Sequence, residues 1–81
     1  MNTPRADVYA AIDTERDYQD TQWARYDAGN TVEDFLGYIE TYVGHARGAV
    51  SSDDPDRVLH MLRKVAGLTV AAMEQHGAPK R

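Results

Sequence analysis

Carboxylates are the groups in this chain best suited to chemistry, because two of them three residues apart on a helix can hold a magnesium ion over a phosphate. The sequence offers two such pairs, Asp17 with Asp20 and Asp53 with Asp56. The first pair is more simply explained by a solvated helix face, and the second by the start of a helix. We therefore predict no metal site and no cofactor.

Nucleophilic and acid–base groups are equally unsupported. Ser51 and Ser52 lie in a predicted linker without a neighbouring base, and no glycine-rich loop follows a strand. The chain contains no cysteine, which excludes disulfide bonds, thiol chemistry and zinc knuckles. His45, His60 and His76 are not spaced to complete a metal site, and a lone histidine as general acid or base has no specific support. We predict no catalytic residue and expect that the chain is not an enzyme.

Charge is distributed unevenly along the 81 residues. The first 40 residues hold nine acidic and three basic residues, and the rest hold four acidic and six basic ones. The net charge of −4 argues against general nucleic-acid binding, and an anionic ligand should prefer the second half of the chain. The chain shows no apolar run as long as a membrane span and no signal peptide. We expect a cytoplasmic protein with no membrane partner.

Helical periodicity places these groups on three α-helices in one domain, residues 1–81. Pro4 is predicted at the first position of the first helix. Thr31 and Asp34 form the pattern of a capping box before the second helix, and Pro55 opens the third. The predicted helices span about residues 4–26, 31–50 and 55–76. The predicted fold is all-α, a compact three-helix antiparallel bundle, which at this small size is expected to oligomerise.

The first and third helices each combine apolar and polar positions. Gln19 lies in the apolar stripe of the first helix, where its amide must either hydrogen-bond to the core backbone or face a cavity. The predicted inward stripe is Val8, Ile12, Gln19, Trp23 and Tyr26, with Glu15 and Arg16 on its shoulders. The third helix has a wide apolar arc. Its remaining face is predicted to carry His60, Arg63, Lys64, Gly67, Ala71 and Glu74.

The second helix has two unlike faces. One is the apolar stripe of an amphipathic helix, formed by Val32, Phe35, Leu36, Ile39, Tyr42, Val43, Ala46 and Val50. The other has no bulk and consists of Gly37, Thr41, Gly44 and Gly48. Each interior glycine costs about 0.8–1 kcal/mol relative to alanine, so something is expected to approach this face closely. We predict that these four residues form an oligomer interface and, through it, the wall of a binding site.

Three segments carry a resemblance to a known family: ERDYQDTQWARYD (residues 15–27), NTVEDFLGYIETYVGHA (residues 30–46) and LRKVAGLTVAAMEQHGAPKR (residues 62–81). They resemble the helical part of phage Thoeris anti-defence sponge proteins. The resemblance implies a homo-oligomer that sequesters cyclic ADP-ribose isomers or cyclic oligonucleotides, without cleaving them, in the host bacterial cytoplasm. Longer members of the family are expected to continue past the segment that ends here at Arg81. A neighbouring subunit is expected to supply the ligand contacts that this additional segment would make.

A weaker similarity points to phage MazG-like proteins. It rests on an E-R-x-x-Q-D-x-x-W pattern from Glu15 and a V-A-x-x-x-V-A-A-x-E pattern that ends at Glu74. The nucleoside triphosphate pyrophosphohydrolases of that group need paired carboxylates on adjacent helices, but the residue three after Glu40 is Val43. Similarity to this group therefore implies a binding remnant that lacks hydrolysis.

The residues available for such a ligand agree in kind. A signalling dinucleotide needs cations for its diphosphate, an aromatic ring for its base and polar groups for its ribose. Arg63 beside Gly67 is the favoured cation, whereas Arg47 and Lys64 are equally explained as solvated, and Trp23 also as a core residue. The predicted ligand-binding residues are Arg16, Gln19, Trp23, Arg47, Arg63, Lys64 and Arg81.

Three functions therefore stay open at the level of sequence. The favoured one is a phage anti-defence sponge that binds a cyclic nucleotide signal and inhibits host signalling. The second is a small oligomeric helical adaptor that binds and inhibits a host protein, for which the glycine face is only a subunit contact. The third is a MazG-like pyrophosphohydrolase, which the missing carboxylates disfavour.

Overall fold

Three α-helices make up the computed structural model, which describes residues 2–23 and 29–81. α1 spans Arg5–Trp23, α2 spans Val32–Ser51 and α3 spans Pro55–His76. The described residues contain no strand, so the predicted all-α class and the three helices are confirmed. The side chain of Trp23 and the predicted extension of the first helix to Tyr26 lie outside the described part of the chain.

Polar caps fix the start of α2, as the sequence predicts. The amide of Asp34 donates to the hydroxyl of Thr31 at 3.0 Å, and the amide of Thr31 donates to the carboxylate of Asp34 at 2.9 Å. This reciprocal pair satisfies two of the amides that the first turn of a helix leaves without partners. The capping box is therefore confirmed.

The other helix ends follow the same chemistry with one small difference. Asp54 caps α3 by accepting from the amide of Arg57 at 3.2 Å, and Gly77 ends that helix with a φ of 115°. α1 begins at Arg5, one residue later than predicted, because the carbonyl of Pro4 already accepts the first helical bond.

α2 and α3 form an antiparallel hairpin around the apolar core. The amide of Asp54 donates to the carbonyl of Ala49 at 2.9 Å in the turn between them. At the other end, the ring nitrogen of His76 lies 2.8 Å from the carbonyl of Asn30, so the end of α3 meets the start of α2. The core consists of buried Phe35, Leu68 and Ala71, with Ile39, Tyr42 and Ala72 packed against it.

Within the described residues, α1 packs on α3. Glu15 meets Arg63 and Gln19 meets Gly67, so the contacts advance by four residues in both helices and α1 runs parallel to α3. Within the described residues, α1 and α2 do not pack against each other. The radius of gyration is 13.5 Å, against about 12 Å for a compact domain of this length. The bundle is therefore open on the side between α1 and α2.

Several predicted faces are wrong because α1 docks differently from expected. Glu15, placed on a shoulder of the inward stripe, is 5% exposed, whereas Val8 is 42% exposed. Gly67 and Ala71 were predicted on the remaining polar face of the third helix, yet both are buried. That polar face is the one on which α1 packs. On α2, the predicted inward residues Val32, Leu36 and Val50 are exposed.

Candidate functional site

A buried carboxylate lies at the centre of the α1–α3 contact. Glu15 accepts a hydrogen bond from Nε of Arg63 at 2.8 Å, and its second oxygen lies 3.6 Å from Nζ of Lys64. A buried charge is tolerated only beside opposite charge, and the two adjacent cations on α3 supply it. Because Glu15 compensates only one of the two cations, the cluster keeps one surplus positive charge.

Gln19 lies one turn further along α1 and is 4% exposed. Its Nε2 donates to the backbone carbonyl of Lys64 at 3.3 Å, while its Oε1 has no hydrogen-bond partner in the described structure. The amide rests on Gly67, where an added Cβ would lie 2.8–2.9 Å from the Gln19 amide atoms. The bond to the Lys64 carbonyl is the first of the two alternatives given for Gln19, a hydrogen bond to the backbone of the core.

An open cleft of about 210 Å³ lies beside this polar cluster, between α1 and α2. Tyr18 on α1 and Tyr42 on α2 contribute aromatic walls, and Nζ of Lys64 lies 5.4 Å from the centre of the Tyr18 ring. The lining residues are Glu15, Tyr18, Gln19, Gln22, Tyr42 and Lys64. The cleft therefore offers one cation and two aromatic rings to a ligand, beside the buried side chains of Glu15 and Gln19.

Arg63, the favoured cation in the sequence, is held by protein groups. Besides its bond to Glu15, its Nη1 lies 2.8 Å from Nδ1 of His60. Two partners on one guanidinium leave fewer donors for a ligand phosphate. Arg63 thus connects α3 to α1 through Glu15. Lys64 lines the cleft and is the cation better placed for a ligand.

Arg16 forms a separate ion-pair cluster. Its Nη1 lies 2.7 Å from Asp20, and its Nε donates to Glu74 at 2.6 Å. Partial burial acts to lower the pKa of Arg16, but the hydrogen bonds and attraction to the two carboxylates outweigh it and raise that pKa. Arg16 is not among the residues that line the cleft, so the structure does not bring it together with Gln19.

The remaining predicted cations lie apart from the cleft. Arg47 is exposed on α2, and Arg81 is exposed after the end of α3. Neither lines the cleft. Among the predicted ligand-binding residues whose side chains the structure describes, Gln19 and Lys64 line the cleft.

The small-residue face of α2 is open in the single chain. Gly37, Gly44 and Gly48 are exposed, and a Cβ added at any of them would meet nothing within 4 Å. Thr41 is also exposed, and its hydroxyl donates to the carbonyl of Gly37 at 3.0 Å. No contact within the described chain requires glycine there, and the predicted interface at these residues stays a prediction.

Sequence reasoning missed the two residues that define the cluster and the cleft, Glu15 and Tyr18. A signal for Glu15 was present, since it lies four residues before Gln19 on the same line of the helix. Tyr18 is 53% exposed and follows no inward stripe, so only its position beside Lys64 reveals it.

Features of other site classes are not found in the described residues. They include no group of three or more His, Cys, Asp or Glu residues that could hold a metal ion. None of the described helices is long and apolar enough to cross a membrane. No protein-family model matches the chain, and no curated protein or solved structure shows significant similarity to it.

Proposed function

We propose that this chain is a binding protein that holds a nucleotide-like signal in the cleft between α1 and α2 and sequesters it without cleavage. The observation that carries the proposal is Gln19, a residue of the cleft lining whose buried Oε1 has no hydrogen-bond partner in the described structure. A buried acceptor without a partner costs about 1–3 kcal/mol. We infer that the Gln19 amide turns towards the cleft when a ligand binds, so that a ligand donor reaches Oε1 and recovers that cost. Adenine amino groups and ribose hydroxyls are such donors.

The other groups of the cleft support the same class of ligand. Tyr18 and Tyr42 offer surfaces for a base or sugar, and Lys64 carries the surplus positive charge for a phosphate. The cleft volume of about 210 Å³ is below the roughly 300–1,000 Å³ of common small-molecule sites. One base or sugar fits, and the rest of a cyclic nucleotide extends towards solvent or a neighbouring subunit.

The biological role follows from the sequence resemblance. The sponge proteins that the chain resembles bind their signal intact as homo-oligomers, and so prevent a host effector from detecting it. The function we propose is accordingly that of a phage anti-defence sponge for a cyclic nucleotide. The carboxylate spacing, which lacks the paired acids of MazG-like enzymes, supports binding without hydrolysis.

Isothermal titration calorimetry against cyclic ADP-ribose isomers, cyclic dinucleotides and linear nucleotides tests this proposal. We expect tight, magnesium-independent binding of one cyclic class, with intact ligand recovered by chromatography. Gln19→Met should weaken binding by about tenfold, because one buried hydrogen bond is lost. It should leave the melting temperature unchanged or higher, since the unpartnered acceptor is removed. Asp17→Met, on the exposed outer face of α1, is the control and should bind like the wild type.

Three results would count against the proposal. Absence of binding to every nucleotide tested removes the sponge function. Magnesium-dependent release of product identifies a MazG-like hydrolase instead. Unchanged affinity in Gln19→Met, together with a lower melting temperature, shows that Gln19 is structural and that the ligand lies elsewhere.

A second function, that of a helical adaptor, is favoured by a different observation. An apolar cleft of about 490 Å³ lies between the N-terminal halves of α1 and α3, with Val8, Leu59 and Leu62 among its lining residues. All three side chains are more than 40% exposed. Grooves of this kind accept the apolar face of a partner helix. The adaptor function predicts that the wild-type chain binds no nucleotide and inhibits a host protein. It also predicts that Leu59→Asp removes this inhibition.

A further inference from the structure

A partly exposed apolar row runs along α2 and overlaps the line that packs on α3. Its members follow one another at intervals of four, three, four, three and four residues: Val32, Leu36, Ile39, Val43, Ala46 and Val50. Alternation of three and four is the spacing of a coiled-coil seam. Val32 and Leu36 are each 51% exposed and Val50 is 66% exposed, whereas Val43 is half-buried, Ile39 packs on the core and Ala46 is 6% exposed. The two ends of the row are therefore uncovered in the single chain.

The row lies on the side of the hairpin away from α1. On α2, Tyr42 lines the cleft with α1, and the apolar row lies on the other side of the buried Phe35. On α3, Lys64 and Gly67 face α1, and Met73, 41% exposed, lies on the opposite side of the helix. Both helices of the hairpin thus present uncovered apolar side chains on one face.

The charges beside the row identify what covers it. Glu33, Glu40 and Arg47 follow at intervals of seven along one edge, all exposed. When two copies of α2 lie antiparallel across a twofold axis near the middle of the helix, Arg47 of each copy approaches Glu33 of the other. In a parallel arrangement, the charged edge of one copy would instead face the line of Phe35 and Tyr42 on the other copy. That line carries no charge and already packs against α3.

The apolar row is compatible with the same antiparallel register. An axis between Ile39 and Val43 pairs every member of the row with another member. The facing pairs are Val32 with Val50, Leu36 with Ala46, and Ile39 with Val43 of the second copy. Exposed side chains meet at the two ends of the seam, while Ile39 and Ala46 also pack within their own chain. Apolar contacts and charge pairs thus agree on one arrangement of the two helices.

We propose that two copies of this chain associate through α2, antiparallel across a twofold axis, with the apolar row as the seam and two Glu33–Arg47 pairs at its edge. This interface is different from the predicted one at Gly37, Thr41 and Gly44, and it does not depend on nucleotide binding. The two Glu40 side chains lie near the axis, so their like charges are the weak point of the dimer.

Charge reversal tests the proposed arrangement by sedimentation equilibrium. Glu33→Arg alone and Arg47→Glu alone should each raise the dimer dissociation constant by about tenfold, because two attractive contacts become repulsive. The double variant Glu33→Arg with Arg47→Glu should restore the wild-type constant. Glu40→Gln should lower the dimer dissociation constant, because it removes the repulsion between the two Glu40 carboxylates near the axis. The helical circular dichroism signal should be the same for all four variants.

Other results would overturn the dimer. A wild-type chain that stays monomeric at the highest soluble concentration has no such interface. A double variant as weak as either single variant shows that Glu33 and Arg47 do not face each other. Gly44→Leu should leave the mass of the assembly in sedimentation equilibrium unchanged, because the new leucine side chain points away from the seam. Dissociation in that variant alone locates the contact at the small-residue face instead.

Discussion

Gln19 and Gly67 explain how a polar side chain can be buried in so small a helical protein. The amide of Gln19 reaches a backbone carbonyl of α3 only because residue 67 has no side chain to block it. The other end of the same amide, Oε1, is buried without a hydrogen-bond partner in the described structure. One glycine thus positions the acceptor on which the proposed binding depends.

Gly67→Ala should therefore reduce ligand affinity more than it reduces stability. The new methyl group displaces the Gln19 amide, but alanine also raises helix propensity by about 0.8–1 kcal/mol, which offsets much of the strain. The measurements are calorimetric affinity, urea unfolding, and the chemical shifts of the Gln19 side-chain amide. Those shifts should move in Gly67→Ala.

Gly44→Ala is the matched control for this variant, since its added Cβ meets nothing within 4 Å. Its free energy of unfolding should rise by the full difference in helix propensity between alanine and glycine, and the Gln19 amide resonances should stay unchanged. Equal stability gains in the two variants, with unshifted Gln19 resonances in both, would contradict a close contact between Gln19 and Gly67.

The two helix contacts of the fold are chemically different. α2 and α3 meet through apolar side chains around Phe35 and Leu68, whereas α1 and α3 meet through the charges of Glu15, Arg63 and Lys64. Burial of apolar area stabilises the first contact directly. An ion pair adds little net stability but is costly to break once buried. We infer that α1 is the helix that detaches most easily.

Glu15→Gln tests that difference between helices. Loss of the carboxylate leaves Arg63 and Lys64 without their counter-charge at the contact. Because both cations are partly exposed, we expect a loss of about 1–2 kcal/mol, less than for a fully buried pair. Hydrogen exchange should accelerate at the amides of α1 well before those of α2 and α3.

Asp13→Asn is the control for Glu15→Gln, because it makes the same chemical change on the exposed face of α1. It should leave exchange rates unchanged. Uniform acceleration in all three helices of Glu15→Gln would show instead that the bundle opens as one unit.

Local signals predicted the helices well and their docking poorly. The capping box at Thr31 and the Asp54–Pro55 start are encoded within a few residues, so pattern alone sufficed. The position of α1 depends on pairing between residues about 48 apart in the chain, such as Glu15 with Arg63. Helical periodicity treats a charge as outward-facing by default. It therefore placed Glu15 on a shoulder and Gly67 on the remaining polar face, so the cleft was predicted at Gln19 and Lys64 but not at Glu15 and Tyr18.

At the scale of the whole molecule, the core is small for the surface it leaves uncovered. Among the described residues, Phe35 and Leu68 are the large side chains that are fully buried, while ten large apolar side chains are exposed. Domains of this size are near the limit at which one core suffices. Association with a second copy through α2 removes part of that exposed surface from water, and so adds stability that the single chain lacks.

Stability that comes from association must depend on protein concentration. For a dimer that unfolds to two chains, the melting temperature rises with total concentration, because mass action favours the folded dimer. We expect this rise for the wild type by differential scanning calorimetry. Leu36→Lys places a charge in the seam but on an exposed position of the single chain, so it should lower the melting temperature and abolish its concentration dependence while the chain stays helical.

Tyr9→Lys changes another exposed residue, on α1 outside the seam, and should keep the wild-type concentration dependence. A melting temperature that is independent of concentration in the wild type would show that the single chain is stable by itself and that the apolar row of α2 serves another contact.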